Sequence, residues 1–273
     1  ESRTDAYCLV GHVMKPTVAI LVAPGTNRHH DLAFAFSQAD CDHVFIQVTD
    51  LPEESKNLSS AQIIAVAGGF SYADALGSGR VFADEINHRV GGILHARVAA
   101  GVPVIGICNG FQMLVRSGLL TGDPESLTTQ QQIALAHNDH GNFVCRWVTL
   151  APVSRRSIWT AGLSGTITCP IAHGEGRVVA SDKTLAYLHD NDMVALRYVN
   201  HDGTPAAGRG PMNPNGSIDD IAGLCDSSGL VLGLMPHPEN HVTQRQSRSG
   251  SPTGIHGLAL NLFKSGVQHV KQS

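Results

Sequence analysis

The hydrophobic positions of this chain fall into two kinds of stretch. Short runs of β-branched and other apolar residues are typical of strands buried on both faces, whereas apolar residues three and four positions apart are typical of helices. In the first half, buried strands are predicted at 17–23, 44–48, 63–67 and 102–107. Between them, 79–100 predicts a long helix, and 31–39 predicts a shorter one with Leu32, Phe34 and Ala35 facing inward.

Strands that alternate with helices predict an α/β fold with a doubly wound, mostly parallel sheet of the flavodoxin-like type. The second half differs, because its strand-like runs are separated by turns with little helix between them. These runs, which predict an antiparallel extension of the sheet, are 143–150, 165–171, 177–180 and 193–199. A hairpin is predicted from 221–224 and 229–235, and a closing helix from 258–270.

The chain is interpreted as one domain over 16–273, preceded by an extension over 1–15 that shows no clear period. Ligands of parallel α/β sheets bind outside the carboxyl ends of the strands. The glycine-rich loops that follow the predicted strands are therefore expected to meet at one edge of the sheet.

One of these loops carries a candidate nucleophile. The strand 102–107 runs into Gly106-Ile-Cys108-Asn-Gly110, and a helix-like pattern follows. A Gly-x-Cys-x-Gly turn between a strand and a helix has the form of a nucleophile elbow, with cysteine in place of serine. The flanking glycines suit a tight turn, and the positive end of a helix stabilises a thiolate. By itself the pattern also fits a small buried cysteine.

A second candidate cluster follows the predicted strand 229–235. Pro236 and Pro238 are expected to hold the segment extended, so that His237 and Glu239 project to the same side. An imidazole at the end of one strand can reach a thiol at the end of a neighbouring strand, and a carboxylate can orient that imidazole. The alternative is a turn with a solvated histidine and glutamate.

Attack on a carbonyl group also needs hydrogen-bond donors for the oxyanion. The backbone N–H of Asn109 is one candidate, and Gly69 is the other, because glycine allows the backbone to approach a substrate closely. A plain β-turn is an equally good interpretation of the Gly68-Gly69 pair.

Two further polar residues are candidate substrate contacts. Gln112 lies one helical turn after Cys108, although a solvated helix residue would look the same. His173 belongs to the block 170–177, in which polar side chains stand between glycines after an apolar strand. This block could line a pocket or contact a partner, and a solvated hairpin turn is the alternative.

Composition excludes several other classes of function. The 273 residues have a net charge of −4, so no general footprint for nucleic acid or an anionic membrane is visible. The six cysteines form no Cys-x-x-Cys pair, which argues against a zinc site and fits reduced thiols in a cytoplasmic protein. No run reaches membrane-spanning length, and no phosphate-binding loop of the Gly-x-x-x-x-Gly-Lys-Ser/Thr type is present in the sequence.

Several longer motifs occur together in one order. They are GGFSYAD (68–74), GICNGFQML (106–114), FVCRWV (143–148), PIAHGEGR (170–177), NPNGSIDDIAG (213–223) and GLMPHPEN (233–240). On these residues the chain resembles the class I (triad) glutamine amidotransferases. More narrowly, it resembles the glutaminase subunits of phosphoribosylformylglycinamidine synthases, from Val18 to the C-terminal helix.

The resemblance implies that Cys108 is the nucleophile, His237 the base and Glu239 the acid that orients it, with oxyanion donors at Gly69 and Asn109. It implies L-glutamine as substrate and a separate synthetase subunit as partner, with a small third subunit in some complexes. The synthetase would use ATP and magnesium, so no cofactor or metal is expected in this chain.

The sequence departs from the family pattern at two places, one in the loop 24–31 and one before the Gly68-Gly69 pair. Arg28-His29 stands where the family often has Cys-Asp, and Ala67 stands where proline usually precedes the glycine pair. Both leave the predicted triad intact. Two rival functions are a different elbow-cysteine hydrolase, such as the peptidase and deglycase relatives, and a non-catalytic regulatory module.

Overall fold

The computed structural model describes residues 15–272 except 52, 54, 121–132 and 248–256. The predicted N-terminal extension, apart from Lys15, and much of the polar stretch after His241 therefore lie outside the described residues. Within the described ranges, no helix is both long enough and apolar enough to cross a bilayer.

The strands follow the buried apolar runs of the sequence closely. They are β1 (Thr17–Val22), β2 (Asp42–Gln47), β3 (Ile63–Val66), β4 (Val104–Ile107), β5 (Ile133–His137), β6 (Val144–Pro152), β7 (Ile167–His173), β8 (Glu175–Ala180), β9 (Val194–Val199), β10 (Ile221–Cys225) and β11 (Val231–Leu234). The helices are α1 (His29–Gln38), α2 (Ser55–Ser60), α3 (Arg80–Ala99), α4 (Asn109–Arg116), α5 (Asp182–Asp190) and α6 (Leu260–Gln272).

Nine strands form one sheet in the order β2-β1-β3-β4-β11-β10-β9-β6-β7. The first five are parallel, and each of the last four is antiparallel to the strand before it. The order reverses at β1, so right-handed crossovers put α1 on one face and α2 and α3 on the other. The predicted flavodoxin-like sheet with an antiparallel extension is confirmed.

Two predictions for the second half are wrong. The strand predicted at 177–180 does not join the extension, because β8 pairs with β5 in a separate two-stranded sheet. The region predicted to contain little helix includes α5, whose first turn is capped by Ser181 accepting a hydrogen bond from the Thr184 N–H at 3.1 Å. The serine directly before Asp182 was a sequence signal for the start of this helix.

The prediction that Phe34 faces inward is also wrong. Leu32 and Ala35 are buried as predicted, but 43% of Phe34 is exposed. Residues two apart lie on nearly opposite sides of a helix, so Phe34 cannot share the buried side with Leu32. Phe36 occupies the inward position instead and packs edge-on against Phe263 of α6, with 5.3 Å between ring centroids.

Candidate active site

The register between two neighbouring strands brings the candidate nucleophile and base together. β4 and β11 are parallel, with Gly106 opposite Gly233 and Ile107 opposite Leu234. The strands therefore end at the same level, and the Cys108 N–H donates to the Leu234 carbonyl at 2.8 Å. Cys108 and the segment after β11 consequently emerge side by side at the carboxyl edge of the sheet.

Cys108 occupies a strained turn between β4 and α4. Its φ of 53° and ψ of −107° place a non-glycine residue in the left-handed region, as a nucleophile elbow requires. The glycines around it are needed for close packing of α4. A Cβ at Gly110 would lie 2.2 Å from the Val66 carbonyl oxygen, and one at Gly106 would lie 2.5 Å from Leu114 Cδ1.

His237 and Glu239 form a buried hydrogen-bonded pair. His237 Nδ1 and Glu239 Oε1 are 2.7 Å apart, and both side chains are almost fully buried. The predicted extended segment is wrong beyond His237, since Pro238–His241 form a 3₁₀ turn with proline in its first position, where a missing N–H costs little. The turn nevertheless leaves the Glu239 carboxylate within hydrogen-bond distance of the ring.

The imidazole and the thiol both lie against Gly68. A Cβ there would be 3.0 Å from His237 Cε1 and 3.3 Å from Cys108 Cβ. A side chain at this position would push the two groups apart. Glycine at position 68 thus lets His237 and Cys108 lie close together. The Gly68-Gly69 motif alone did not predict this role.

Electrostatics favour a charged imidazole in this pair. Burial opposes the charge of His237, but attraction to Glu239 and to Cys108, with hydrogen bonds to both, outweighs it and raises the pKa of His237 to about 10. An adjacent imidazolium stabilises a thiolate, the form of cysteine that acts as a nucleophile. The arrangement is suited to nucleophilic attack followed by proton transfer.

A cavity of about 360 Å³ opens beside Cys108. It is bordered by the loop after β3, by α4 and by the turn between β7 and β8. Its lining includes Gly69, Phe70, Asp74, Ser78, Cys108, Gln112, Phe143, His173 and Glu175. Gly69, Cys108, Gln112 and His173 thus border one space, whereas His237 and Glu239 are not among its lining residues.

His173 is held as a neutral imidazole. Burial, reinforced by the nearby charge of His237 and then of His140, lowers the pKa of His173 to about 3. The Asn138 amide donates to the carbonyls of Asn142 and His173, so its oxygen is left to accept from His173 Nδ1 at 3.1 Å. The proton of the ring is therefore on Nδ1, and the buried Nε2 keeps an unused lone pair.

Comparison with known proteins identifies the family. The sequence profile of the CobB/CobQ-like glutamine amidotransferase domain matches residues 15–270. The chain belongs to this family. The amidotransferase is 44% identical to the phosphoribosylformylglycinamidine synthase subunit PurQ of Treponema denticola, over 94% of this chain and all of that protein. It is 36% identical to the PurQ subunit of Dehalococcoides mccartyi, over 94% of this chain and 99% of the relative.

Solved structures agree with this assignment. A chain of PurLQS from Thermotoga maritima matches the amidotransferase with a TM-score of 0.70 and 31% identity, covering 93% of this chain and 99% of that one. The glutaminase domain of Trypanosoma brucei CTPS matches with a TM-score of 0.57 at 15% identity, which shows a shared fold alone.

The remaining predicted site residues of the amidotransferase are placed as follows. Gly69 lines the cavity with a φ of 142°, and a Cβ there would lie 2.6 Å from the Asn27 nitrogen. Asn109 begins α4 beside Cys108, and its buried side chain donates to Gln112 Oε1 at 2.9 Å. Gln112 is buried rather than solvated, so that alternative is wrong.

Sequence reasoning missed several residues that shape this amidotransferase cavity. Asp74 and Ser78 lie on the loop after β3, Glu175 follows His173 by two positions, and Phe70 stacks against Phe143 with ring centroids 6.3 Å apart. The motifs GGFSYAD and PIAHGEGR marked both segments. Which side chains would meet depended on long-range packing that a motif does not contain.

We predict that Gly110→Ala destabilises the amidotransferase by about 1–3 kcal/mol or more, because its Cβ would collide with the backbone of β3. Gly92→Ala is the matched control, since a Cβ at this position of α3 meets nothing within 4 Å and alanine should stabilise a helix by about 0.5–1 kcal/mol. Urea unfolding measures both. Equal stability of the two variants would contradict the close packing of α4 on the sheet.

Proposed function

We propose that this chain is the glutamine-hydrolysing subunit of phosphoribosylformylglycinamidine synthase in de novo purine biosynthesis. The near full-length similarity to subunits of that name supports the assignment. The observation that carries it is the junction of Cys108 and His237 at the ends of adjacent strands, with Glu239 2.7 Å from the far ring nitrogen. These groups match what hydrolysis of a carboxamide requires.

In the first half of the reaction, the Cys108 thiolate attacks the γ-carboxamide carbon of L-glutamine. The oxyanion forms next to the backbone N–H groups of Asn109 and Gly69. The charged His237 then gives its proton to the leaving nitrogen. The carbon–nitrogen bond breaks, ammonia departs, and a glutamyl thioester remains on Cys108.

In the second half, the neutral His237 takes a proton from a water molecule as that water attacks the thioester carbonyl. Collapse of the second tetrahedral intermediate releases glutamate and restores the thiolate. Glu239 keeps the proton of the ring on Nδ1, so that Nε2 serves both proton transfers. No metal or bound nucleotide takes part in either half.

Gln112 and His173 are the proposed substrate contacts within the cavity. Gln112 Oε1 accepts from Asn109 Nδ2 at 2.9 Å, and Gln112 Nε2 donates to the Glu175 carbonyl at 2.5 Å. These two bonds fix the orientation of the Gln112 side chain where it lines the cavity. His173 lines the cavity as a neutral ring whose Nδ1–H is held by Asn138, so it is proposed to border the substrate without adding a charge.

A rim patch of exposed apolar residues consists of Phe70 and Phe143, which line the cavity, and Leu76, which directly precedes the lining residue Gly77. Their exposed fractions are 46%, 53% and 79%. Ammonia made in the cavity must reach the acceptor without escaping to water, so the synthetase subunit is proposed to cover this patch and to hold the ATP and magnesium. A small third subunit stays a prediction from the family resemblance.

The function is tested with the purified chain and its co-purified synthetase subunit. Glutamine, ATP, magnesium and formylglycinamide ribonucleotide should yield glutamate and the amidated nucleotide in equal amounts. A glutamine-mimicking diazoketone should label Cys108 and stop glutamate release. Absence of glutamate with all components present would refute the proposal.

We predict that Phe143→Ser weakens binding of the synthetase subunit about ten-fold or more, because apolar anchors at the centre of an interface carry much of its affinity. Tyr187→Ser is the control, since Tyr187 is 44% exposed on α5 and does not line the cavity. Calorimetric titration gives both dissociation constants. Equal constants would place the interface elsewhere.

A further inference from the structure

Glu175 connects the three segments that border the cavity. It is the first residue of β8, directly after the turn from β7. Its Oε1 accepts from Arg116 on α4 at 3.1 Å, and its Oε2 accepts from the Ser78 N–H at 3.2 Å. Its backbone carbonyl accepts from Gln112 Nε2 at 2.5 Å.

Arg116 completes the arrangement, which we call the Glu175 bridge (Glu175, Arg116 and Ser78). Arg116 Nε donates to the Ser78 carbonyl at 3.0 Å. The Glu175 side chain is only 11% exposed, so the ion pair is screened less than a surface pair. Charge-assisted bonds of this kind are among the stronger ones in proteins.

The segment held by the bridge is strained. Tyr72, Ala73, Asp74 and Leu76 all have φ between 53° and 61°, a left-handed conformation that non-glycine residues adopt at a cost. Leu76 is largely exposed and gains little from burial. Such a segment persists only when contacts from outside it outweigh the strain.

The same segment forms one wall of the cavity. Asp74, Gly77 and Ser78 lie on this wall, and Cys108 and Gln112 lie on the wall formed by α4 and its first turn. The distance between the two walls sets the space open to a substrate. Among the described residues, the ion pair of the bridge links them, together with a longer hydrogen bond from the Asn109 amide to Asp74 Oδ1 at 3.5 Å.

We propose that Glu175 is a positioning residue, whose carboxylate holds residues 71–79 against α4 and so fixes the cavity in the shape that binds glutamine. The expected effect on KM for glutamine rests on the proposed function. The expected effect on the conformation of residues 71–79 rests on the structure alone. Glu175 acts through Arg116 and Ser78 rather than by touching the reacting atoms.

The test compares Glu175→Gln, Arg116→Gln and the double variant in complex with the synthetase subunit. Each single substitution should raise KM for glutamine about ten-fold, the equivalent of losing one charge-assisted bond, and change kcat by less than about three-fold. The effects of the two substitutions should be less than additive in the double variant, because each single substitution already removes the Glu175–Arg116 ion pair. Arg116→Lys, which keeps the charge but loses the second bond to Ser78, should fall between.

A second measurement does not depend on activity. Hydrogen exchange of the isolated chain should show faster exchange of the amides at 71–79 in both single variants, with the sheet amides unchanged. Asp40→Asn is the control, because it breaks exposed pairs with Lys15 and Lys271 that lie far from the cavity. This variant should match the wild type in both measurements.

The outcomes separate the two proposals. A raised KM in Glu175→Gln with a normal Arg116→Gln would mean that Glu175 contacts glutamine directly, and would overturn the bridge. Unchanged exchange and unchanged KM would overturn it as well. A wild-type complex that releases no glutamate would refute the proposed function, and the exchange rates would still decide whether the bridge holds the segment.

Discussion

Replacing Cys108 by alanine is expected to lower glutamine hydrolysis at least about a thousand-fold, because no other group can form the thioester. The fold should remain intact. The Cys108 thiol has one weak contact outside the triad, to the Ala172 carbonyl at 3.9 Å, and the substitution removes no bulky group. Glutamate release by the assembled synthase measures the effect.

Two controls define what the loss means. Cys145→Ala changes an exposed cysteine on β6 and should leave glutamate release unchanged. Ammonium salts supplied in place of glutamine should restore product formation by the complex with Cys108→Ala, since only the supply of ammonia is impaired. Unchanged glutamine-dependent ammonia production by this variant would exclude the catalytic assignment and favour a regulatory module.

Glu239→Gln is expected to lower kcat/KM about 10²- to 10⁴-fold, because an amide no longer fixes the tautomer or stabilises the charge of His237. The Glu239 carboxylate is a main cause of the raised pKa of that ring. Its removal lowers the pKa, so the imidazolium is lost at a lower pH. The alkaline limb of the rate profile should therefore move toward neutral pH.

The same substitution should change the pH dependence of stability. The pKa of His237 is raised from 6.5 to about 10 in the folded chain, so its stabilisation is complete below about pH 6.5 and is lost as the pH rises through about 10. The difference in unfolding free energy between wild type and Glu239→Gln should accordingly shrink over that range. Glu239→Asp keeps the negative charge, so the pH dependence of its unfolding free energy should stay closer to that of the wild type. If the difference in unfolding free energy between wild type and Glu239→Gln did not change with pH, the charged His237–Glu239 pair would be contradicted.

The parts of the site closest to the sheet were predictable from the sequence. β4 and β11 are short apolar runs that Cys108 and His237 follow within three residues, so both residues were expected at strand ends, where ligands of such sheets bind. The elbow at Cys108 was predictable from a short stretch of sequence, because the close packing of α4 requires glycine at positions 106 and 110.

The parts built from distant segments were not predictable. Glu175 pairs with Arg116, 59 residues earlier, and with Ser78, 97 residues earlier, and no periodic pattern records such a meeting. The prediction that Phe34 faces inward failed for a local reason, because an apolar residue on a helix need not be buried. The prediction that β8 joins the large sheet failed because the sequence of a short strand does not indicate which sheet it joins.

The position of β11 has a consequence for synthesis of the protein. This strand lies in the middle of the large sheet, between β4 and β10, yet it is made after every other strand that the structure describes. During translation, the thiol at the elbow emerges long before the imidazole that activates it, and the sheet is still missing a central member. A nascent chain that ends before β11 thus lacks the base that the proposed reaction needs, and the missing imidazole arrives with the strand that fills the gap in the sheet.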